Sequence, residues 1–120
     1  MVRSVLVVDD DPSFLVLAAR VLEEMGVEAV LTAQDAATAT TEAEARRPDA
    51  VLVDVGLPDG DGIELARELA ELPWGPRVVV TSTDPDASRV IRARHAQSIL
   101  PFVPKEELTG GTLAGLLTGG

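Results

Sequence analysis

The sequence contains no cysteine, which excludes a disulfide framework and any zinc site built on thiolates. It has no apolar run long enough for a transmembrane helix, and the apolar stretch near Met1 is too short for a signal peptide. Basic residues are scarce, since 10 lysines and arginines face 20 acidic residues and the formal net charge is −10. Such a charge does not suit binding to nucleic acid or to anionic membranes. We therefore expect a cytoplasmic protein.

The remaining composition predicts one compact α/β domain. The 120 residues are 46% hydrophobic, enough for a single core but too few for two domains. Apolar strand-length runs alternate with helical patterns, which is typical of βα units and a parallel sheet. The predicted strands are 4–8, 28–31, 50–53, 77–81 and 99–104. The predicted helices are 12–25, 36–46, one from 63 to the loop at 72, 85–96, and a weak tail helix at 106–117.

Polar side chains stand where these strands end. Asp9 and Asp10 follow the first strand, Asp54 follows the third, Thr81 ends the fourth, and Lys105 follows the fifth. The carboxyl ends of the strands form the ligand-binding edge of an open parallel sheet. Acids, a hydroxyl and a lysine at that edge suggest a magnesium-assisted phosphoryl site with a carboxylate nucleophile.

Four ordered segments give a more specific indication. They are VVDDDP at 7–12, DVGLPDGDG at 54–62, TS at 81–82 and PK at 104–105. Together they resemble the receiver domain of bacterial two-component response regulators, and the resemblance covers essentially the whole chain. It implies a flavodoxin-like fold, in which a five-stranded parallel sheet of order 2-1-3-4-5 is flanked by five helices in one three-layer domain over residues 1–120.

The resemblance also implies a phosphorylation site that needs Mg²⁺. It makes Asp54 the phosphoacceptor and gives Asp9 and Asp10 to the metal. In this scheme Asp10, Asp54 and the Gly56 backbone carbonyl bind the ion directly, and Asp9 acts mainly through bound water. Oxygen-only ligands select a hard cation such as Mg²⁺, and an acyl phosphate formed on a carboxylate is labile enough to serve as a reversible signal.

Three further positions match the switch machinery of the family. Thr81 corresponds to the switch hydroxyl, Lys105 to the lysine that contacts the phosphoryl group, and Phe102 to the aromatic residue that reorients on activation. Ser82 is an alternative to Thr81 for the hydroxyl.

The function implied is that of a signalling switch. A sensor histidine kinase, a phosphotransfer protein or a small phosphodonor would phosphorylate the domain, which would catalyse its own phosphorylation and dephosphorylation and is otherwise not an enzyme. The signal would leave through the face of the fourth helix, fifth strand and fifth helix. We expect no effector domain in this chain, so it would be a stand-alone regulator or part of a longer protein, with homodimerisation on activation as a further expectation.

Two alternatives remain compatible with the sequence. A degenerate receiver could act purely as a binding module, because segment 98–106 departs from the family: Glu106 follows Lys105 where relatives carry a proline after a cis peptide bond. A cis Lys105–Glu106 bond would cost ~3 kcal/mol, so either that strain is held or the loop differs. A magnesium phosphatase resembling the haloacid dehalogenase group would need an aspartate where Gly56 stands.

The remaining candidates have structural interpretations. We predict that Asp11 caps a helix and that Asp59 and Asp61 are turn residues. Trp74 is predicted to pack at the sheet edge opposite the site, and His95 to lie at the surface.

Overall fold

The structure, a computed structural model, describes residues 2–83 and 101–118, with side chains as far as 115. Five parallel strands form one sheet in the order β2-β1-β3-β4-β5, which confirms the predicted order. The strands are β1 Ser4–Val8, β2 Ala29–Ala33, β3 Ala50–Asp54, β4 Arg77–Ser82 and β5 Phe102–Pro104. The helices are α1 Pro12–Glu24, α2 Ala36–Arg46, α3 Gly62–Ala70 and the C-terminal helix Gly110–Thr118. A hairpin joins Gly56–Leu57 to Gly60–Asp61.

The sheet lies between two layers of helices. One cluster of buried side chains joins the sheet to α2 and α3, and we call this side the α2/α3 face. A second cluster joins the other side of the sheet to α1 and the C-terminal helix, and we call it the α1 face. All five residues of β3 are buried, as expected of a central strand covered on both sides. The predicted three-layer α/β class is confirmed.

Aspartates begin the first three helices. Asp11 accepts a hydrogen bond from the Ser13 amide at 3.0 Å, which confirms its predicted role as a cap of α1. Asp35 caps α2 in the same way, and Asp61 caps α3. Side-chain acceptors at these positions satisfy amides that have no partner inside the helix. The position of each aspartate therefore determines where the helix after it begins.

The boundaries of β2 and of the tail helix differ from prediction. β2 extends to Ala33 because all five of its residues pair with β1. The local sequence of β2 does not show how far this pairing continues. The tail helix does not begin at Glu106, since Lys105–Glu107 form a 3₁₀ turn. The Thr109 hydroxyl accepts a hydrogen bond from the Thr112 amide at 3.1 Å and so begins the C-terminal helix later.

The fifth strand begins at Phe102 and lies at the sheet edge, as its prolines predicted. The predicted fourth helix at 85–96, His95 and positions 98–100 lie outside the described residues. Within the described ranges every peptide bond is trans, including the one that joins Lys105 to Glu106. None of the described helices combines the length and apolar character needed to cross a membrane.

Trp74 lies at the amino end of β3, opposite Asp54 at the carboxyl end. Its indole N–H donates a hydrogen bond to the Pro48 carbonyl at 3.0 Å, and the Arg47 guanidinium lies 5.4 Å from the ring centroid. This placement matches the sequence prediction.

We expect the fluorescence of Trp74 to respond little to Mg²⁺ or to phosphorylation, because the strand length separates the indole from Asp54. Emission spectra recorded through a Mg²⁺ titration test this directly, since the chain has one tryptophan. Strong quenching on saturation would contradict the placement of this loop.

Candidate functional site

The strand ends bring the three predicted metal ligands together. Asp9 follows β1, Asp54 ends β3, and a carboxylate oxygen from each of Asp9, Asp10 and Asp54 lies within 4.8 Å of the others. Asp9 is fully buried and Asp54 is 7% exposed, whereas Asp10 is exposed. One oxygen of Asp9 accepts a hydrogen bond from the Asp11 amide at 2.9 Å, which fixes its orientation.

Lys105 supplies the positive charge of this cluster. Its ammonium lies 2.5 Å from Oδ2 of Asp9 and 3.6 Å from Oδ1 of Asp54, so it is closer to the predicted metal-site acid than to the predicted phosphoacceptor. It also lies 4.5 Å from the ring centroid of Phe14 on α1, within the range of a cation–π interaction. Sequence reasoning missed Phe14, because its helical spacing marks it as an ordinary core residue.

The cluster perturbs its own titration. Burial raises the pKa of Asp54 to about 6, the charges of Asp9 and Asp10 act in the same direction, and Lys105 opposes them. Burial disfavours the Lys105 ammonium, yet its hydrogen bonds and charge contacts with Asp9 and Asp54 hold its pKa above the ordinary value. Near neutral pH, Asp54 is therefore mostly ionised. Its carboxylate lies beside two other acids, so a bound cation would stabilise the cluster.

Thr81 lies beside Asp54 on the neighbouring strand. Their Cα atoms are register partners in the β3–β4 pairing, and the Thr81 side chain is fully buried. Its hydroxyl has no hydrogen-bond partner among the described residues, which is uncommon for a buried polar group. Ser82 is buried as well, so burial alone does not decide between the two hydroxyls.

Two glycines bring backbone close to Asp54. A Cβ atom on Gly56 would lie 3.7 Å from Oδ2 of Asp54, which places the Gly56 backbone near the carboxylate. A Cβ atom on Gly62 would lie only 2.0 Å from the Asp54 carbonyl oxygen. The hairpin and the start of α3 therefore pack directly against the end of β3.

Phe102 does not lie with the acids. It is half-buried, pairs with Val80 in the register and packs against the α2/α3 face. Side chains alternate along a strand, so Thr81, the residue after Val80, belongs to the opposite side of the sheet. The predicted switch role of Phe102 stays a prediction.

The donor set fits a hard divalent cation. Asp9, Asp10 and Asp54 offer only oxygen atoms at mutual distances that one ion can bridge. Three carboxylates so close together repel one another unless positive charge is present, and Lys105 supplies such a charge among the residues that the structure describes.

The family model of the response regulator receiver domain matches residues 5–109. The chain belongs to this family. The match includes both ends of the site, since it runs from β1 through the 3₁₀ turn that begins at Lys105.

Two curated relatives of this receiver domain carry the name of a transcriptional regulatory protein. It is 34% identical over 110 residues to the alkaline phosphatase synthesis transcriptional regulatory protein PhoP of Bacillus subtilis, a match covering 88% of this chain and 45% of that protein. It is 38% identical over 101 residues to the transcriptional regulatory protein PdtaR of Mycobacterium tuberculosis, covering 84% and 49%. The chain thus spans less than half the length of these relatives.

Solved structures support the fold. The CheY-like receiver domain protein of Methanospirillum hungatei superposes with a TM-score of 0.81 at 22% identity, covering 99% of this chain and 93% of that one. A response regulator of Burkholderia pseudomallei, solved with a phosphorylated aspartic acid, calcium ion and citrate, gives 0.82 at 24% identity, covering 96% and 66%. At these identities the likeness concerns the fold.

Proposed function

We propose that this receiver domain is phosphorylated on Asp54 in a Mg²⁺-dependent reaction with a histidine kinase, a phosphotransfer protein or a small phosphodonor. The observation that carries the proposal is the buried Asp54 carboxylate, which lies with Asp9 and Asp10 within 4.8 Å and with the Lys105 ammonium at 3.6 Å. Burying an acid beside other acids and a lysine costs folding free energy. Such clusters of perturbed ionisable groups are typical of functional sites.

The reaction is a direct phosphoryl transfer. A carboxylate oxygen of Asp54 attacks the phosphorus atom and forms an acyl phosphate, while the bond from phosphorus to the donor nitrogen or oxygen breaks and the donor leaves with its electron pair. A pKa of about 6 leaves most Asp54 ionised near neutral pH, and therefore competent as a nucleophile. No general base is needed.

The other residues hold charge and geometry. Asp10, Asp54 and the Gly56 carbonyl would bind Mg²⁺ directly, with Asp9 acting through water, and the bound ion supplies charge neutralisation between the carboxylates and the phosphoryl group. Lys105 would contact a phosphoryl oxygen. The Thr81 hydroxyl would donate to another, and its lack of a partner within the described chain leaves it able to do so.

The expected output is a change of protein contacts. Thr81 and Phe102 would shift with phosphorylation and bias a pre-existing equilibrium of the surface that includes β5 and the C-terminal helix. An output protein or an effector domain would read this surface, and two activated copies could pair through it. The domain would catalyse no reaction beyond its own phosphorylation and dephosphorylation.

Incubation with acetyl phosphate and Mg²⁺ should add the mass of one phosphoryl group to the wild type. We expect no addition to the Asp54→Asn variant and none in the presence of a chelator, because the nucleophile or the neutralising charge is then missing. Intact-mass spectrometry measures the product, and peptide mapping locates it. A wild type that gains no mass and shows no response to beryllofluoride would instead support the degenerate receiver as a binding module.

Lys105→Met should separate metal binding from phosphoryl transfer. The ammonium lies against Asp9 and competes with a cation there, so we expect Mg²⁺ affinity to be unchanged or higher. The rate of phosphorylation by acetyl phosphate should fall by about a hundredfold, as when one transition-state donor is removed. Methionine keeps an apolar stem over Phe14.

The control for Lys105→Met is Arg46→Met, which removes the same charge from an exposed position on α2. The shift of the thermal unfolding midpoint with Mg²⁺ concentration gives the Mg²⁺ affinity. Mass spectrometry over time gives the rate of phosphorylation by acetyl phosphate. An unchanged rate in Lys105→Met would contradict the assigned phosphoryl contact.

A further inference from the structure

Asp59 does more than form a turn. Its carboxylate accepts hydrogen bonds from the backbone amides of Ala36 at 2.8 Å and Ala37 at 3.2 Å, across 23 and 22 residues of sequence. These amides open α2, whose own cap, Asp35, bonds the Thr38 amide at 2.7 Å. The first turn of α2 thus has two carboxylate partners, one local and one supplied by the hairpin at the phosphorylation site.

The hairpin lies between α2 and the acidic cluster. Its strands pair only Gly56 with Asp61 and Leu57 with Gly60, and so short a pair has little stability of its own. At its tip, Asp59 bonds α2, and a Cβ atom on the adjacent Gly60 would lie 3.8 Å from the Ala36 Cβ atom. At its base, the Gly56 backbone lies beside the Asp54 carboxylate.

We propose that Asp59 is a positioning residue for the metal site. By bonding the first turn of α2, it holds the hairpin in the conformation that places Gly56 next to Asp54, although Asp59 itself touches neither metal nor phosphoryl group. This inference rests on the proposed function, because it assigns the support for the metal ligand set named there.

The physical argument is one of populations. A ligand binds with its intrinsic affinity only to the fraction of molecules in the competent conformation, so a hairpin released from α2 raises the apparent dissociation constant. A helix cap together with the favourable placement of a negative charge at a helix start corresponds to roughly a fivefold change in the equilibrium constant between the competent and the released hairpin, which is the upper limit of the change in that fraction. Coupling is reciprocal, so metal binding must also strengthen the contact between Asp59 and the Ala36 and Ala37 amides.

The test compares Asp59→Ala with Asp35→Ala. Each variant removes one carboxylate that accepts a hydrogen bond from the first turn of α2, but only Asp59 belongs to the hairpin. We expect Asp59→Ala to raise the Mg²⁺ dissociation constant measurably, by at most roughly fivefold in calorimetry, while Asp35→Ala stays close to wild type. Asp59→Asn retains one acceptor oxygen and should recover part of the affinity.

Amide resonances provide a second measurement that does not depend on phosphorylation. In the wild type, the Ala36 and Ala37 amide shifts should move during a Mg²⁺ titration, and in Asp59→Ala this movement should be lost while the fold is retained. Equal dissociation constants for the two alanine variants would overturn the inference and leave the proposed function intact. A wild type that binds no Mg²⁺ would overturn the proposed function together with the inference.

Discussion

Gly62→Ala is expected to destabilise the fold by about 3 kcal/mol although it adds a single methyl group. The new Cβ atom would lie 2.0 Å from the Asp54 carbonyl oxygen and 2.7 Å from the Val55 Cα atom. Both are backbone atoms, which cannot rotate away as a flexible side chain does. The methyl group can be accommodated only if α3 and the end of β3 move apart, and that movement opens the core between them.

Gly60→Ala is the matched control for Gly62→Ala. It makes the same change two residues earlier, where the nearest atom, the Ala36 Cβ, lies at an ordinary contact distance of 3.8 Å. Urea denaturation of both variants should show a large loss for Gly62→Ala and almost none for Gly60→Ala. Because the clash involves Asp54 itself, Gly62→Ala should also weaken Mg²⁺ binding under conditions in which it remains folded. Equal midpoints for the two variants would contradict this packing.

The positions of the acids were predictable from the sequence because each depends on a local pattern and one rule of topology. An apolar run that ends on Asp9 or Asp54 predicts a buried strand, and parallel strands present their carboxyl ends at one edge. Thr81 follows from the same logic, and its register partner is indeed Asp54. The cap Asp11 depends on residues immediately beside it, so it too could be predicted locally. Asp61 was predicted only as a turn residue, and its role as the cap of α3 came from the structure.

The parts that escaped prediction depend on contacts between distant segments. Asp59 lies in a segment whose composition is that of a turn. Nothing near it in the sequence indicates that its carboxylate accepts hydrogen bonds from the amides of α2. The closeness of Lys105 to Asp9 and Phe14 arises from packing between the sheet and α1. Gly60 and Gly62 look alike in the sequence, whereas only Gly62 faces backbone at a distance that forbids a side chain.

Asp54→Asn should stabilise the metal-free protein by about 2 kcal/mol at neutral pH, even though it removes the proposed phosphoacceptor. Burial raises the pKa of Asp54 from 3.8 to about 6, and the charge of Asp9 adds to this effect. Ionised Asp54 is thus less favourable in the native state than in the unfolded chain. Asparagine removes that cost but also removes the 3.6 Å contact with Lys105, so the gain is smaller than the full pKa shift implies.

The pH dependence of that gain has a defined sign. Below the ordinary pKa of 3.8, Asp54 is protonated in both states and the variant has no advantage. Between 3.8 and about 6, the native state holds a proton on Asp54 that the unfolded chain has lost, so the contribution of Asp54 to wild-type stability falls as pH rises and the difference between the two proteins grows. Above about 6 both states are ionised and the difference reaches its plateau.

Urea unfolding of both proteins across this pH range measures the difference, with Glu44→Gln on the exposed side of α2 as a control for loss of one charge. The control should remain within about 0.5 kcal/mol of wild type. Saturating Mg²⁺ should then stabilise the wild type more than Asp54→Asn, because only the wild type retains all three carboxylates. An Asp54→Asn variant that is less stable than wild type without metal would contradict the view that ionised Asp54 destabilises the native state. A gain in stability that does not change with pH would contradict it as well.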